Sequence, residues 1–213
     1  MAGLFISFEG AEASGKSTQI RKLADRLLAH GHQVQCLREP GGTDIGEEIR
    51  HTLQHSSKNH GMMPETELLL MTASRSQLVR QIIRPTLRAG HIVLCDRYYD
   101  STLAYQGYGR GIDLDFIRQL MDFAIEQTRP NLTLLLTLPH EISEARRRLR
   151  NHQRPQGRDR MEELDREFFR RVEEGFAALA RAEPNRIKTI DASPAADIVE
   201  SAIWDQVQPL VGH

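Results

Sequence analysis

Two cysteines in 213 residues are few, and neither Cys36 nor Cys95 has metal-ligand spacing. Each lies in an apolar, strand-like run. Both therefore read as buried thiols rather than as a disulfide, which suits a reducing cytosol. No apolar run approaches the roughly 20 residues that a membrane-spanning helix needs. An excess of one charge is missing too, since 28 basic and 29 acidic residues leave a net charge of −1. That excludes a general nucleic-acid or membrane-surface binder, and any positive region must be local. The first residues lead straight into a functional motif, leaving no room for a signal peptide, so a soluble cytoplasmic protein is expected. With no repeat, low-complexity tract or second-domain boundary, 1–213 reads as one α/β domain with ample chain for a core.

What is present begins at Gly3. Leu4, Phe5, Ile6 and Phe8 read as a short buried strand, and Gly10-Ala11-Glu12-Ala13-Ser14-Gly15-Lys16-Ser17-Thr18 follows it. The spacing is that of a phosphate loop: Gly, four free positions, Gly-Lys-Ser. Gly10 and Gly15 let the backbone wrap around a polyphosphate with its N–H groups turned inward. Lys16 adds a point charge, Ser17 offers a hydroxyl to Mg²⁺, and the next helix presents its positive end.

Apolar periodicity then alternates between the two regular structures. Ile20, Leu23, Leu27 and Leu28 mark the buried face of the first helix. Later helices are predicted over 44–53, 64–87 (disturbed at Pro85), 101–106, 114–127, 141–150, 164–180 and after Pro194. Strands are predicted over 33–37, 91–95, 132–138 and 186–190. This order implies a mainly parallel sheet of about five strands, covered by helices on both faces.

Ligands of such sheets collect beyond the C-terminal strand ends. The first strand leads to the phosphate loop, the second to Arg38-Glu39-Pro40-Gly41-Gly42, and the third to Asp96-Arg97. Asp96 suits a carboxylate for Mg²⁺ or its water shell, or a helix cap. Arg97 suits a phosphate, or a structural ion pair. Met71 and Arg75 share a helix face and suit a nucleobase, although methionine at that spacing also suits a core. Thr102, Tyr105 and Gln106 share another face, either for reading a base or for solvation. Arg146, Arg147, Arg148 and Arg150 read as a solvated helix face. Segment 151–160 reads as a mobile lid, with Arg154 and Arg158, and less clearly Arg160, delivering charge to a transferring phosphoryl group.

FEGAEASGKST, REPGGT, DRYYDSTLAYQGYGRG and DRME, in this order from Leu4 to about Asp191, resemble the bacterial thymidylate kinase family. The resemblance implies a phosphate-loop kinase that transfers the γ-phosphate of ATP to dTMP with Mg²⁺, and a homodimer. It implies that Glu12 approaches the 3′-hydroxyl of dTMP, and that Glu39, Arg50 and Arg97 organise the acceptor phosphate and the metal. It also implies that Pro40 lies against dTMP, Arg75 reaches a thymine carbonyl, Thr102 and Gln106 read the base edge, and Tyr105 crowds the sugar 2′ position. Ser17, Asp96 and Glu39 form the implied metal set.

The chain departs from the family pattern at several positions. Met71 and Thr72 stand where Phe or Tyr is usual, Leu103 replaces an often polar residue, Tyr108 a glycine, and Thr137 an aspartate. Most of these fall near the base rather than the phosphates. They leave open a related monophosphate kinase with altered base preference. A non-catalytic ATP-binding paralogue is opposed by intact Lys16, Ser17, Asp96 and Arg97.

Overall fold

The computed structural model describes residues 3–152 and 166–212. Its sheet comprises β1 (Leu4–Gly10), β2 (Val34–Arg38), β3 (Ile92–Asp96), β4 (Leu132–Thr137) and β5 (Ile187–Asp191), all parallel, in the order β2-β3-β1-β4-β5. The expected five-strand parallel sheet is therefore present, with strand ends within a residue or two of the predicted ones.

Alternation along β1 divides the core in two. Phe5 packs with Val93, Cys95 and Leu135, against α3 (Pro64–Leu78), α6 (Leu114–Ile125) and α8 (Arg166–Ala182). Ile6 and Phe8 pack with Leu94, Leu134 and Leu136, against α1 (Lys16–Ala29) and α9 (Ala196–Val211). Burial on both faces explains why the central strands are apolar runs rather than half-polar alternations.

Leu28 and Cys36 lie elsewhere than their sequence pattern implies. Leu28 is half exposed, because one further residue turns it off the stripe formed by Ile20, Leu23 and Leu27. Cys36 is exposed, because β2 forms the sheet edge and helix cover there is incomplete; only Cys95 is a buried thiol.

The long helix after Pro64 does continue to Arg88, but not as regular α-helix. It widens into a π turn at Val79–Ile83 before α4 (Arg84–Arg88). Pro85 has no N–H to donate and its ring needs room, so the irregularity falls in the turn before it. The segment predicted as helix 101–106 is α5 (Tyr99–Thr102) running into a second π stretch, Leu103–Gly109. α6 stops at Ile125 because Glu126 and Gln127 both adopt positive φ. α2 (Asp44–Gln54) and α7 (His140–His152) complete the order. Among the described residues, no helix is long and apolar enough to cross a membrane.

Candidate active site

The C-terminal ends of β1, β2 and β3 open into one cavity of about 780 Å³. The loop after β1 depends on two glycines. Gly10 has φ 126°, and a Cβ there would lie 2.2 Å from the Leu136 carbonyl oxygen, so β4 itself excludes a side chain. Gly15, at φ 92°, turns the chain into α1, whose first turn holds no acidic residue to neutralise its positive end. Lys16 Nζ donates to the carbonyl of Ala11 at 2.8 Å and of Gly10 at 3.1 Å. Burial and the neighbouring Arg97 push the Lys16 ammonium down to about 8, against the pull of Asp96, Glu12 and Glu9.

Ser17 Oγ donates to Asp96 Oδ2 at 2.8 Å, joining the starts of two loops 79 residues apart. Two hard oxygen donors at this separation, beside a polyphosphate loop, fit Mg²⁺, which keeps several water ligands and takes few protein ones. Glu39 lies on the same cavity wall. Its Oε2 accepts from Arg75 Nε at 2.7 Å and forms an ion pair with NH2 at 2.5 Å, while among the described residues Oε1 is buried without a hydrogen-bond partner. Burial pushes the Glu39 carboxyl up, and contact with the Arg75 guanidinium works against that. Arg75 NH1 also donates to Thr102 Oγ1 at 2.8 Å. The strand-two loop is held by Arg50 NH1 to the Pro40 carbonyl, 2.9 Å, and by the Gly42 N–H to Glu47, 2.7 Å.

Arg97 has a positive φ of 67°, rare for a residue with a side chain. Its backbone N–H donates to the Phe8 carbonyl at 2.9 Å, and its guanidinium lies over the Tyr105 ring at 5.1 Å. The guanidinium also donates to Ser101 Oγ at 3.1 Å, and Ser101 in turn donates to Glu9 at 2.5 Å. Glu9 completes the tie by accepting from the Tyr98 N–H at 2.7 Å. Burial, and then Asp100, push the Glu9 carboxyl up to about 8. The sequence reading missed this group; the signal that could have found it is a carboxylate closing the apolar run of β1.

The chain has known relatives. Residues 8–203 match the family model described as thymidylate kinase. A thymidylate kinase of Syntrophotalea carbinolica is 50% identical over 203 residues, covering 94% of this chain and 93% of that protein. That of Geobacter sulfurreducens is 45% identical, covering 95% of each chain. A crystal structure of thymidylate kinase from Ehrlichia chaffeensis superposes with a TM-score of 0.78 at 32% identity, covering 98% of this chain and all of that one. The chain belongs to the thymidylate kinase family.

The residues that the family resemblance points to converge in space. Glu12, Glu39, Pro40, Arg50, Met71, Arg75, Arg97, Thr102, Tyr105 and Gln106 all line the one cavity, as do Ala13 to Thr18 and Asp96. Gly10 and Ala11 serve instead through carbonyls beneath Lys16. Met71 is half-buried on the cavity wall, whereas Thr72 turns inward and donates to the Leu68 carbonyl at 2.7 Å. The lid candidates Arg154, Arg158 and Arg160 lie outside the described residues.

Arg146 departs from the solvated face that its helix pattern implies. It lines the cavity and donates to the carbonyls of Ala192 at 3.0 Å and Ser193 at 3.2 Å. Together with Gln19, Pro194, Ala196 and Val199 it forms an end of the cavity that the motifs did not reveal. The strand-end rule, applied to β5 as well as to β1 to β3, points to residues 192–196.

Proposed function

We infer that this chain transfers the γ-phosphoryl group of ATP to dTMP, giving dTDP and ADP. The observation that carries this reading is one cavity holding a phosphate loop at one side and the Glu39–Arg75–Thr102 cluster at the other. Family membership favours it over a shifted base preference or a non-catalytic paralogue. In this reading residues 1–213 act as a single kinase domain. Gly10 to Thr18 bind ATP, and the end walled by Arg146, Ala192 and Pro194 receives its adenine, with apolar surface beside a planar cation. Glu12 and Tyr105 meet the sugar of dTMP, Arg75, Thr102 and Gln106 meet its base, and Met71 covers a base face.

Chemistry of this kind needs positioning and charge stabilisation more than covalent participation. Lys16 holds the migrating phosphoryl group, and Arg97 with Arg50 holds the acceptor phosphate in line with it. The Glu9–Ser101 tie keeps the Arg97 guanidinium at that position. Arg154 and Arg158, which lie outside the described residues, are assigned to supply positive charge that offsets the negative charge on the transferring phosphoryl group. Ser17 and Asp96, with Glu39 on the same cavity wall, would hold Mg²⁺, which would supply positive charge to the polyphosphate.

ADP production from Mg·ATP with dTMP, dUMP, dCMP, dGMP, AMP or no acceptor tests the assignment. A clear dTMP preference that disappears with a Mg²⁺ chelator is expected. Equal use of several acceptors overturns the base assignment, and silence with all of them overturns the kinase.

Lys16 also makes a pH prediction. Its ammonium titrates near 8 in the free protein, and the phosphates of ATP favour the charged form. ATP affinity is therefore expected to weaken as pH rises through about 8, with proton uptake on binding just above it. Calorimetry at pH 8.5 in buffers of differing ionisation enthalpy checks this; no uptake places Lys16 away from the phosphates.

A homodimer fits the exposed apolar residues Leu69 on α3 and Phe116 and Phe123 on α6, two helices that pack together on one side of the sheet. A sedimentation mass of one chain would remove it. The lone thiols and even charge suit a cytoplasmic enzyme.

A further inference from the structure

Gln106 lines the cavity where the base of dTMP is placed, but an amide can present either its carbonyl or its NH₂ group. Which one faces a ligand decides which bases are accepted. The neighbouring side chains settle that choice. Glu67, on α3 and fully buried, accepts from Gln106 Nε2 at 2.8 Å. The same carboxylate takes two bonds from Arg110, from Nε at 3.2 Å and NH2 at 2.9 Å. Arg110 is in turn stacked over Phe168 at 4.9 Å, on a separate helix. A carboxylate paired with a guanidinium only accepts hydrogen bonds. The Gln106 group against it must therefore be the NH₂, and Oε1 is left for a ligand.

We propose that Glu67, held by Arg110, is a positioning residue for base specificity: it fixes the Gln106 amide with its carbonyl toward the base, selecting pyrimidines that carry an N3–H and rejecting cytosine. Thymine offers a donor at N3 between two carbonyl acceptors, matching a Gln106 carbonyl beside the Arg75 donors. Cytosine offers a lone pair at N3 and an amino group at position 4, so an acceptor meets an acceptor and a donor meets a donor. A free amide would flip and relieve the first of these conflicts. Anchored on Glu67, it cannot do so without leaving a buried carboxylate short of a partner.

This rests on the placement of Gln106 at the base edge, and the experiment separates the two. kcat/KM is measured with dTMP and with dCMP for the wild type, Gln106→Ala and Glu67→Gln, at saturating Mg·ATP. Glu67→Gln keeps the shape but supplies a side chain that can donate as well as accept, which frees the flip. Both variants are expected to lower the dTMP:dCMP ratio by about tenfold or more, the loss that one mismatched base contact produces, with KM for ATP unchanged. A Glu67→Gln variant that slows both substrates equally, while Gln106→Ala lowers the ratio, overturns the positioning role alone. An unchanged ratio in Gln106→Ala overturns the base-edge placement and the proposal with it. Should Glu67→Gln fail to fold, Glu67→Asp withdraws the acceptor from Gln106 while keeping the charge beside Arg110. It is read by the same ratio.

Discussion

Lys16→Met is expected to lower kcat by about 10²- to 10³-fold, the range found when one preorganised charge or donor is taken from a transition state. The same change is expected to make the folded protein more stable at pH 7. Burial holds the Lys16 ammonium down to about 8 from an unfolded value near 10.5, so the charged form is penalised in the native state. A shift of that size corresponds to about 3 kcal/mol. The unfolded chain binds the extra proton between those two pH values, so wild-type stability rises across that window. The advantage of Lys16→Met is therefore full below pH 8 and disappears by about pH 10.5. Turnover at saturating ATP and thermal unfolding from pH 7 to 10 check both halves. Unchanged turnover takes Lys16 away from the phosphoryl group, whereas a loss of stability makes its contacts with Gly10 and Ala11 the dominant effect.

Arg75→Ala should act on the acceptor rather than on ATP. One guanidinium serves the Glu39 carboxylate and Thr102 while standing in the cavity wall. Loss of a charge-assisted contact to the base predicts a rise in KM for dTMP of roughly ten- to a hundredfold, with KM for ATP unmoved. Stability should fall as well, by about 3–5 kcal/mol, because Glu39 keeps a buried charge without its partner. The double change Glu39→Gln with Arg75→Met separates the two effects: it is expected to recover much of the stability but not the KM. An increase confined to the ATP KM would place Arg75 outside the acceptor site.

The contrast between these two residues shows what was legible before the fold. Lys16 belongs to a loop whose spacing, glycine positions and following helix are all local, and backbone geometry over eight residues is enough to place its chemistry. Local pattern gave Arg75 only an ambiguous helix face, and its thymine role came from the family resemblance alone, because its partner Glu39 lies 36 residues away and its neighbour Thr102 a further 27 beyond Arg75. Glu9 was not singled out from the sequence, because its tie through Ser101 to Arg97 spans 92 residues. Glu67 carried no signal at all.

By itself the sequence determined the alternation of strands and helices, the phosphate loop, the strand-end residues that line the site and the family they resemble, because periodicity and turn chemistry act over short stretches of chain. Only the tertiary structure decided which charges meet. Strand order put β2 at the edge and left Cys36 exposed, and the return of β5 beside β4 brought Ala192 and Ser193 against Arg146. The two π stretches arise where helices are already packed on the sheet, and one of them sets Tyr105 and Gln106 on the cavity wall beside Thr102. Such pairings depend on register and packing across the whole chain, which no local pattern encodes.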